Sequence, residues 1–311
     1  MIKLLYASDL HGSTLMFKKL INASLIYKAD AVVIGGDITG KGIAPIVKRD
    51  GKYETEIYGT RYEAKSGEEL KNLINQVTSY GFYEYIVEDP SELEKLDEVL
   101  DKVLEELMAK RILEWADFAR AKLGESGVKV YMMPGNDDPY TVDAAIEKSG
   151  VFINHARRVV ELGDYLLFGY DKTNITPWKC PRDVEEDVMR QELSELLSGV
   201  RDYSRLIFNA HCPPYGTTLD LAPKLDEDLK PVISGGGIVM EHVGCASIRE
   251  FIERHQPLLG LHGHIHESRS IEKIGRTTIV NAGSAYNEGI LYAALITLDK
   301  DRVKGVNLIK G

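Results

Sequence analysis

The sequence predicts an α/β fold on three observations: short runs of Val, Ile and Leu suited to buried strands, helical patterns alternating with them, and glycines leading several runs out into polar residues. With 311 residues, 44% of them hydrophobic, the chain can bury one sizeable core. The expected organisation is one domain over residues 1–311, interrupted by a folded insertion at about 41–124.

The apolar runs fall at residues 2–7, 31–34, 128–133, 206–210, 258–261 and 278–280, and each reads as a buried strand. Between the first two, Ser13 or Thr14 can cap a helix carrying Leu15, Leu20, Ala23 and Ile26, which makes a βαβ unit. From about residue 41 to 124 the rhythm breaks, and the stretch is too long for an unstructured connection. Residues 46–49 and 52–58 flank Asp50-Gly51, a pair suited to the positive φ angles of a hairpin turn. A Ser66–Glu69 capping box then opens a helix with Leu70, Leu73, Ile74 and Val77 on one face. A second helix is expected from Pro90 to Leu123, stopped by Gly124, with Leu93, Leu96, Leu100, Val103, Leu104 and Leu107 as a packing stripe. Later helices are expected over 183–197, stopped at Gly199, and from Ser247, where Glu250 completes a second capping box. Residues 212–244, with four prolines and Gly235-Gly236-Gly237, are irregular.

Composition narrows the function. No run approaches the roughly 20 apolar residues of a membrane span, and the N-terminus lacks the pattern of a signal peptide, so a cytoplasmic protein without a membrane partner is expected. Cys180, Cys212 and Cys245 are odd in number and lack C-x-x-C spacing, which suggests neither a disulfide framework nor a thiolate zinc site. The net charge of −10 and the absence of a Lys/Arg run disfavour long nucleic acid.

The chemistry lies where the strands end: Asp9 and His11, Asp37, Asn136, His211, then His264 and His266. In extended chain, side chains two apart point the same way, so Asp9 with His11, and His264 with His266, can each converge on one ion. Gly35-Gly36, Gly135 and Gly263 permit sharp turns just before these residues. Open α/β sheets bind ligands at such carboxyl ends.

In this order the strings Asp9-Leu-His11, Gly36-Asp37, Gly135-Asn-Asp-Asp138, His211 and Gly263-His-Ile-His266 resemble the calcineurin-like metallophosphoesterase superfamily. The resemblance runs from residue 9 to residue 266 and implies a four-layer αββα sandwich. It implies one metal held by Asp9, His11, Asp37 and His266, and a second by Asn136, His211 and His264, with Asp37 bridging. Carboxylates together with neutral imidazoles suit Mn, Fe, Zn or Co better than Mg²⁺ or Ca²⁺. Two such ions activate a water for in-line attack on phosphorus, with Asp37 and Asn136 in the catalytic centre. The implied activity is hydrolysis of small phosphate esters, diesters foremost. The other readings are a non-catalytic metal-binding scaffold of the same fold, and a nuclease.

One position departs from the pattern. Where the superfamily has a histidine after the G-N asparagine, this chain has Asp137, a poor proton donor beside two dications. Esters whose leaving group needs little protonation are therefore favoured. His242, in the glycine-rich connection before Ser247, is a candidate for the missing proton, against the plainer reading of a surface histidine. His155 and His255 belong to no motif and read as structural; His262 adjoins Gly263 and is intermediate. Residues 39–42 and 213–216 read as the mouth of the site or as ordinary turns, and the insertion as a cap over the cleft or a contact between copies in a homo-oligomer.

Overall fold

Period-two alternation explains why each apolar run is buried on both faces. In the strand Ile2–Ala7, Leu5 and Ala7 enter one hydrophobic cluster while Leu4 and Tyr6 enter another. In Ala31–Gly35, Val32 and Ile34 join the first cluster, and Ala31 and Val33 the second. Neither face meets water, so the strands read as continuous hydrophobic sequence.

The computed structural model describes residues 1–89, 91–93 and 98–311. Two six-stranded sheets stack across the second cluster. The first runs Arg302–Lys310, Tyr292–Asp299, Ile2–Ala7, Ala31–Gly35, Lys129–Met133, Phe152–Asn154. The second runs Ser270–Ile274, Thr277–Asn281, Leu259–His262, Leu206–Ala210, Tyr165–Tyr170, Val159–Leu162. Phe17, Ile112, Trp115 and Ile146, from the helices Thr14–Ile26, Leu100–Leu123 and Thr141–Lys148, cover the outer face of the first sheet. Met189, Leu193, Ile248 and Ile252, from Glu186–Leu196 and Ala246–His255, cover the second. The result is the expected four-layer αββα sandwich.

Several local expectations hold. Ser13 caps the first helix, its hydroxyl accepting the Met16 N–H at 3.3 Å. Asp50 and Gly51, at φ 48° and 79°, turn the hairpin between Ile43–Arg49 and Lys52–Ile57.

Others are corrected. The helix expected over 183–197 begins at Glu186, because Asp183 and Val184 pair as a short parallel strand with Thr173 and Asn174. Ser247 does not cap its helix; the Glu186 carboxylate, from a different helix, accepts the N–H groups of Ala246 and Ser247 at 2.8 Å each, and Glu250 pairs with Arg190 at 2.8 Å. A carboxylate against the positive end of a helix serves the same purpose as a local cap. Ser66 is likewise no cap, although Glu69 does reach back, to the Lys65 N–H at 2.8 Å.

The segment after Lys41 divides in two. Thr60–Ala64, Lys52–Ile57, Ile43–Arg49 and Tyr83–Val87 form a four-stranded sheet that packs Ala44, Ile46 and Ile57 against Leu73 and Val77 of the helix Glu68–Ser79. The helix Leu100–Leu123 instead packs on the first large sheet through Met108, Ile112, Trp115, Ala116 and Ala119. The expected stripe of Leu93, Leu100, Val103, Leu104 and Leu107 is only partly covered, and Leu100 is exposed, since the buried face starts a turn later, at Met108. Pro90 and Leu96 lie outside the described residues.

Cys212 and Cys245 are joined as a disulfide, with Cα atoms 6.3 Å apart, contrary to the expectation from cysteine spacing. Thirty-three residues separate them in sequence, and only the return of the chain from the end of one strand to the start of a helix brings them together. No helix among the described residues is long and apolar enough to cross a membrane.

Candidate metal centre

The loops leaving the adjacent parallel strands stay laddered past the sheet edge. Asp9 N–H donates to Gly36 O, His11 N–H to Asp37 O and Gly12 N–H to Ile38 O, each at 2.9 Å. From the second sheet, Gly263 N–H donates to His211 O at 2.9 Å. The ligand loops are therefore fixed in pairs before any side chain is considered.

The backbone also corrects the reasoning from side-chain alternation. Asp9, His11, Asp37 and His264 have φ of 57°, 42°, 48° and 66°, in the left-handed region rather than in extended chain. Non-glycine residues rarely adopt this conformation, and it concentrates where surrounding structure enforces it at functional sites. Asp9 and His11 converge because the loop coils. Gly135 and Gly36 leave the room: a Cβ on Gly135 would collide with the Asp37 carboxylate, and one on Gly36 with the His211 ring.

The side chains gather into two groups whose ligand atoms lie within 4.8 Å of one another, Asp9–His11–His266 and Asp37–His211–His264. His266 Nε2 is 3.4 Å from Asp9 Oδ1, and His211 Nε2 is 3.3 Å from Asp37 Oδ1. Asp37 also faces His11, with Oδ2 3.8 Å from Nε2, which places it between the groups. The seventh expected ligand, Asn136, donates its amide N–H to Asp183 Oδ1 at 3.2 Å, leaving its buried Oδ1 without a partner. His211 donates through Nδ1 to Gly35 O at 2.9 Å, which leaves the buried Nε2, facing Asp37 Oδ1, as the ring atom open to a cation once its proton is displaced. Orphaned buried acceptors are costly, and second-sphere hydrogen bonds that fix a ligand's tautomer are characteristic of metal sites. His11 and His266 bring their Nε2 atoms to 3.1 Å, two nitrogens converging on one point. The donor set fits two divalent cations of the borderline class.

The electrostatics agree. Burial works against charge on Asp9, yet the hydrogen bond and charge of His266 and the charge of His211 hold its carboxyl down at about 2. Asp37 is likewise held well below the carboxylate range by His211, despite burial. Burial lowers His211, but Asp37 and Asp9 outweigh it and raise the imidazole to about 10; His266 is raised against burial by Asp9. His11 and His264, dominated by burial, fall to about 4 and stand neutral as ligands.

Sequence reasoning missed the supports. Asp138 accepts the N–H groups of Gly135, Ile38 and Thr39 at 2.7, 3.0 and 2.9 Å, clamping the Asp37 and Asn136 loops together. Arg182, fully buried, donates to the Asp138 and Pro139 carbonyls at 2.8 and 3.0 Å and pairs with Asp171 and Asp143. Asp183 could have been suspected only as an acidic residue before a helix, since nothing in its neighbours points to Asn136.

Asp137 lies at the site as the motif order requires, its ligand oxygen within 4.8 Å of those of His11 and Asp37. Its carboxylate pairs with the Lys41 ammonium and accepts from Cys180 Sγ at 2.9 Å. His242 donates through Nδ1 to Asp220 Oδ1 at 2.8 Å, beside the Tyr215 ring. The remaining histidines have structural partners: His155 bonds Asn209 at 3.0 Å, His262 bonds the Ala210 carbonyl at 2.9 Å, and His255 stacks against Tyr203 and Phe251. A cleft of about 240 Å³ opens from His11 past Lys41 and Tyr286 toward the inserted sheet. A larger cleft of about 680 Å³ between Glu186–Leu196 and Ala246–His255 contains none of the seven ligands.

No family model matches the sequence. It is 31% identical over 156 residues to the uncharacterized protein MJ1162 of Methanocaldococcus jannaschii, a match that takes in 50% of this chain and 63% of that protein's length. Among solved structures, TT1561 of Thermus thermophilus superposes with a TM-score of 0.55 at 13% identity, covering 100% of this chain and 98% of its own. A second crystal structure does so with a TM-score of 0.55 at 18% identity, over 98% of each chain. These likenesses show that the fold recurs along the full length of the chain.

Proposed function

We propose that this chain is a calcineurin-like metallophosphoesterase that hydrolyses small phosphate esters, phosphodiesters foremost, with two divalent cations. The observation that carries the reading is the convergence of five sequence strings, spread over residues 9–266, into two ligand groups that meet at Asp37. A scaffold with this fold has no need of buried His211 Nε2 and Asn136 Oδ1 atoms left without a hydrogen-bond partner.

Bound cations of this class supply Lewis acidity and a nucleophile at neutral pH. The chain's own part is to hold and orient. Asp37 presents one oxygen toward each group; Asp9, His11 and His266 would hold one cation, and His211 and His264, with Asn136 as the proposed further ligand, the other. Asp183 holds the Asn136 amide N–H, which leaves the buried Oδ1 without a partner, and Gly35 fixes the His211 tautomer. Asp137, engaged by Lys41 and Cys180, offers no proton to a departing alkoxide, which favours esters with good leaving groups. His242, its side chain 40% exposed beside Asp220, is the proposed proton donor for poorer ones. The His242→Ala variant would then lose more turnover on poor leaving groups than on good ones; an unchanged ratio removes His242 from the mechanism.

The direct test is the metal-stripped protein reconstituted with Mn²⁺ and assayed on bis-p-nitrophenyl phosphate and p-nitrophenyl phosphate, with Asp37→Asn as control. Cleavage of the diester by the native chain and an inert control are expected. Two bound cations without turnover of either ester would favour the scaffold reading instead.

A further inference from the structure

The cleft beside the metal centre has walls whose chemistry differs from that of the ligand groups. Its rim is aromatic: Tyr58, Tyr80 and Phe82 come from the inserted sheet and its helix, and Tyr286 from the opposite side. The Tyr58 ring meets Tyr80 edge-on, with centroids 6.1 Å apart, and Phe82 similarly at 5.3 Å. Tyr286 stands 4.7 Å from the His11 ring, so one wall of the cleft is continuous with a metal ligand. The sole charge among the described lining residues is Lys41, already paired with Asp137. None of those lining residues is a carboxylate.

Two further facts bear on what fills it. Tyr58 occupies the turn between Lys52–Ile57 and Thr60–Ala64 at φ 49°, a position where glycine or asparagine would be the unstrained choice, and it remains 63% exposed. A large ring held in a costly conformation and left open is a surface kept for contact rather than for the core. The volume, about 240 Å³, lies below the range of drug-sized sites, about 300–1,000 Å³, and so admits a single planar group rather than an oligomer.

From this we infer that the cleft bounded by Tyr58, Tyr80, Phe82 and Tyr286 is a subsite for a planar aromatic group esterified to the phosphate, and that the insertion thereby selects aryl or nucleoside esters over alkyl ones. The inference rests on the metallophosphoesterase reading and adds the class of substrate. With the phosphate at the metal centre, the ring would lie between the insertion and Tyr286, in the cleft that His11 and Lys41 also line. Ring faces accept any flat π system, so the subsite distinguishes aromatic from aliphatic groups without reading hydrogen-bond patterns.

The test compares methylphosphonate with phenylphosphonate, two non-hydrolysable ligands that share the metal-binding head and differ in the ring. Calorimetric affinities for the Mn²⁺-loaded native protein should favour phenylphosphonate by about tenfold to a hundredfold, the range expected for one stacked ring. Tyr58→Asn, which suits the left-handed turn, should bring the two affinities to within about a factor of three while leaving methylphosphonate binding intact. Tyr58→Phe should restore the preference. Equal affinities in the native protein, or an unchanged ratio in Tyr58→Asn, overturn the subsite and leave the metal centre standing. Failure of both phosphonates to bind the loaded protein overturns the metallophosphoesterase reading, and the subsite with it.

Discussion

The two large sheets contribute unequally to the site, and the inequality shows what holds it together. The first sheet supplies every oxygen donor of the proposed set, Asp9, Asp37 and Asn136, along with His11; the second supplies only imidazoles, His211, His264 and His266. Neither sheet completes a group alone. Asp9 and His11 need His266 from across the interface, and Asp37 needs His211 and His264. Each cation would thus cross-link the layers, at the edge of a contact otherwise made of Leu4, Tyr6, Val33, Ile207 and Leu261. A carboxylate-rich half repels itself and a histidine half lacks charge to hold a cation; their stacking gives each what it lacks.

Breaking the meeting point should cost most. Gly135→Ala places a methyl against the Asp37 carboxylate and His211 Nε2, disturbing both groups together. The proposed phosphoesterase activity should fall by about 10³-fold or more, since metal assistance is worth several kcal/mol of transition-state stabilisation. Metal analysis of the purified variant should show loss of both cations; retention of both with full activity would mean that the halves meet elsewhere.

The second test separates the groups. Asp183→Ala frees the Asn136 amide to rotate but leaves Asp9, His11 and His266 untouched. A drop of about 10–100-fold in affinity for one cation, with the other unchanged, is expected by stepwise titration. Equal weakening of both would deny that Asn136 belongs to one group.

Protons sharpen the comparison further. His211 is raised to about 10 in the metal-free chain and carries a proton at neutral pH that a cation must displace. Affinity should therefore rise by about tenfold per pH unit between pH 7 and 9 and level off above about 10, with proton release visible as a dependence of the calorimetric heat on buffer. For stability the sign runs the other way. A folded value above the unfolded 6.5 means that protonated His211 contributes its full stabilisation below about 6.5, and the contribution disappears as pH rises through about 10. Asp9, lowered from 3.8 to about 2, stabilises above about 3.8 and loses that contribution as pH falls through about 2. The metal-free protein should be most stable between these limits.

The smallest effect is thermal. At a hundredfold excess over the dissociation constant, a cation stabilises by about 2.7 kcal/mol per site, a rise of roughly 4 °C in Tm per site for a domain of this scale. Chelation should reverse the shift, and an unchanged Tm would argue that the sheets do not depend on bridging.

How much of this was legible in the sequence depended on the range of the interaction. The strands, the first helix and its Ser13 cap, and the Asp50-Gly51 turn were readable, and so was the set of Asp and His side chains that the structure gathers, because apolar alternation, turn chemistry and ordered motifs are local. The caps at Ala246 and Glu68 were misread, because the first is made by Glu186, about sixty residues away, and the second by Glu69 reaching Lys65 without Ser66.

By itself, then, the sequence determined which residues would line the site and which sheets would carry them, since both follow from short-range pattern. Only the tertiary structure decided how they meet. Left-handed loops at Asp9, His11, Asp37 and His264, the Asp138 and Arg182 clamps, the Asp183–Asn136 bond, the Cys212–Cys245 pairing and the aromatic cleft all join segments far apart in the chain. Their energies arise from contacts that exist only once two sheets have stacked, and no spacing in the sequence encodes the distance between layers.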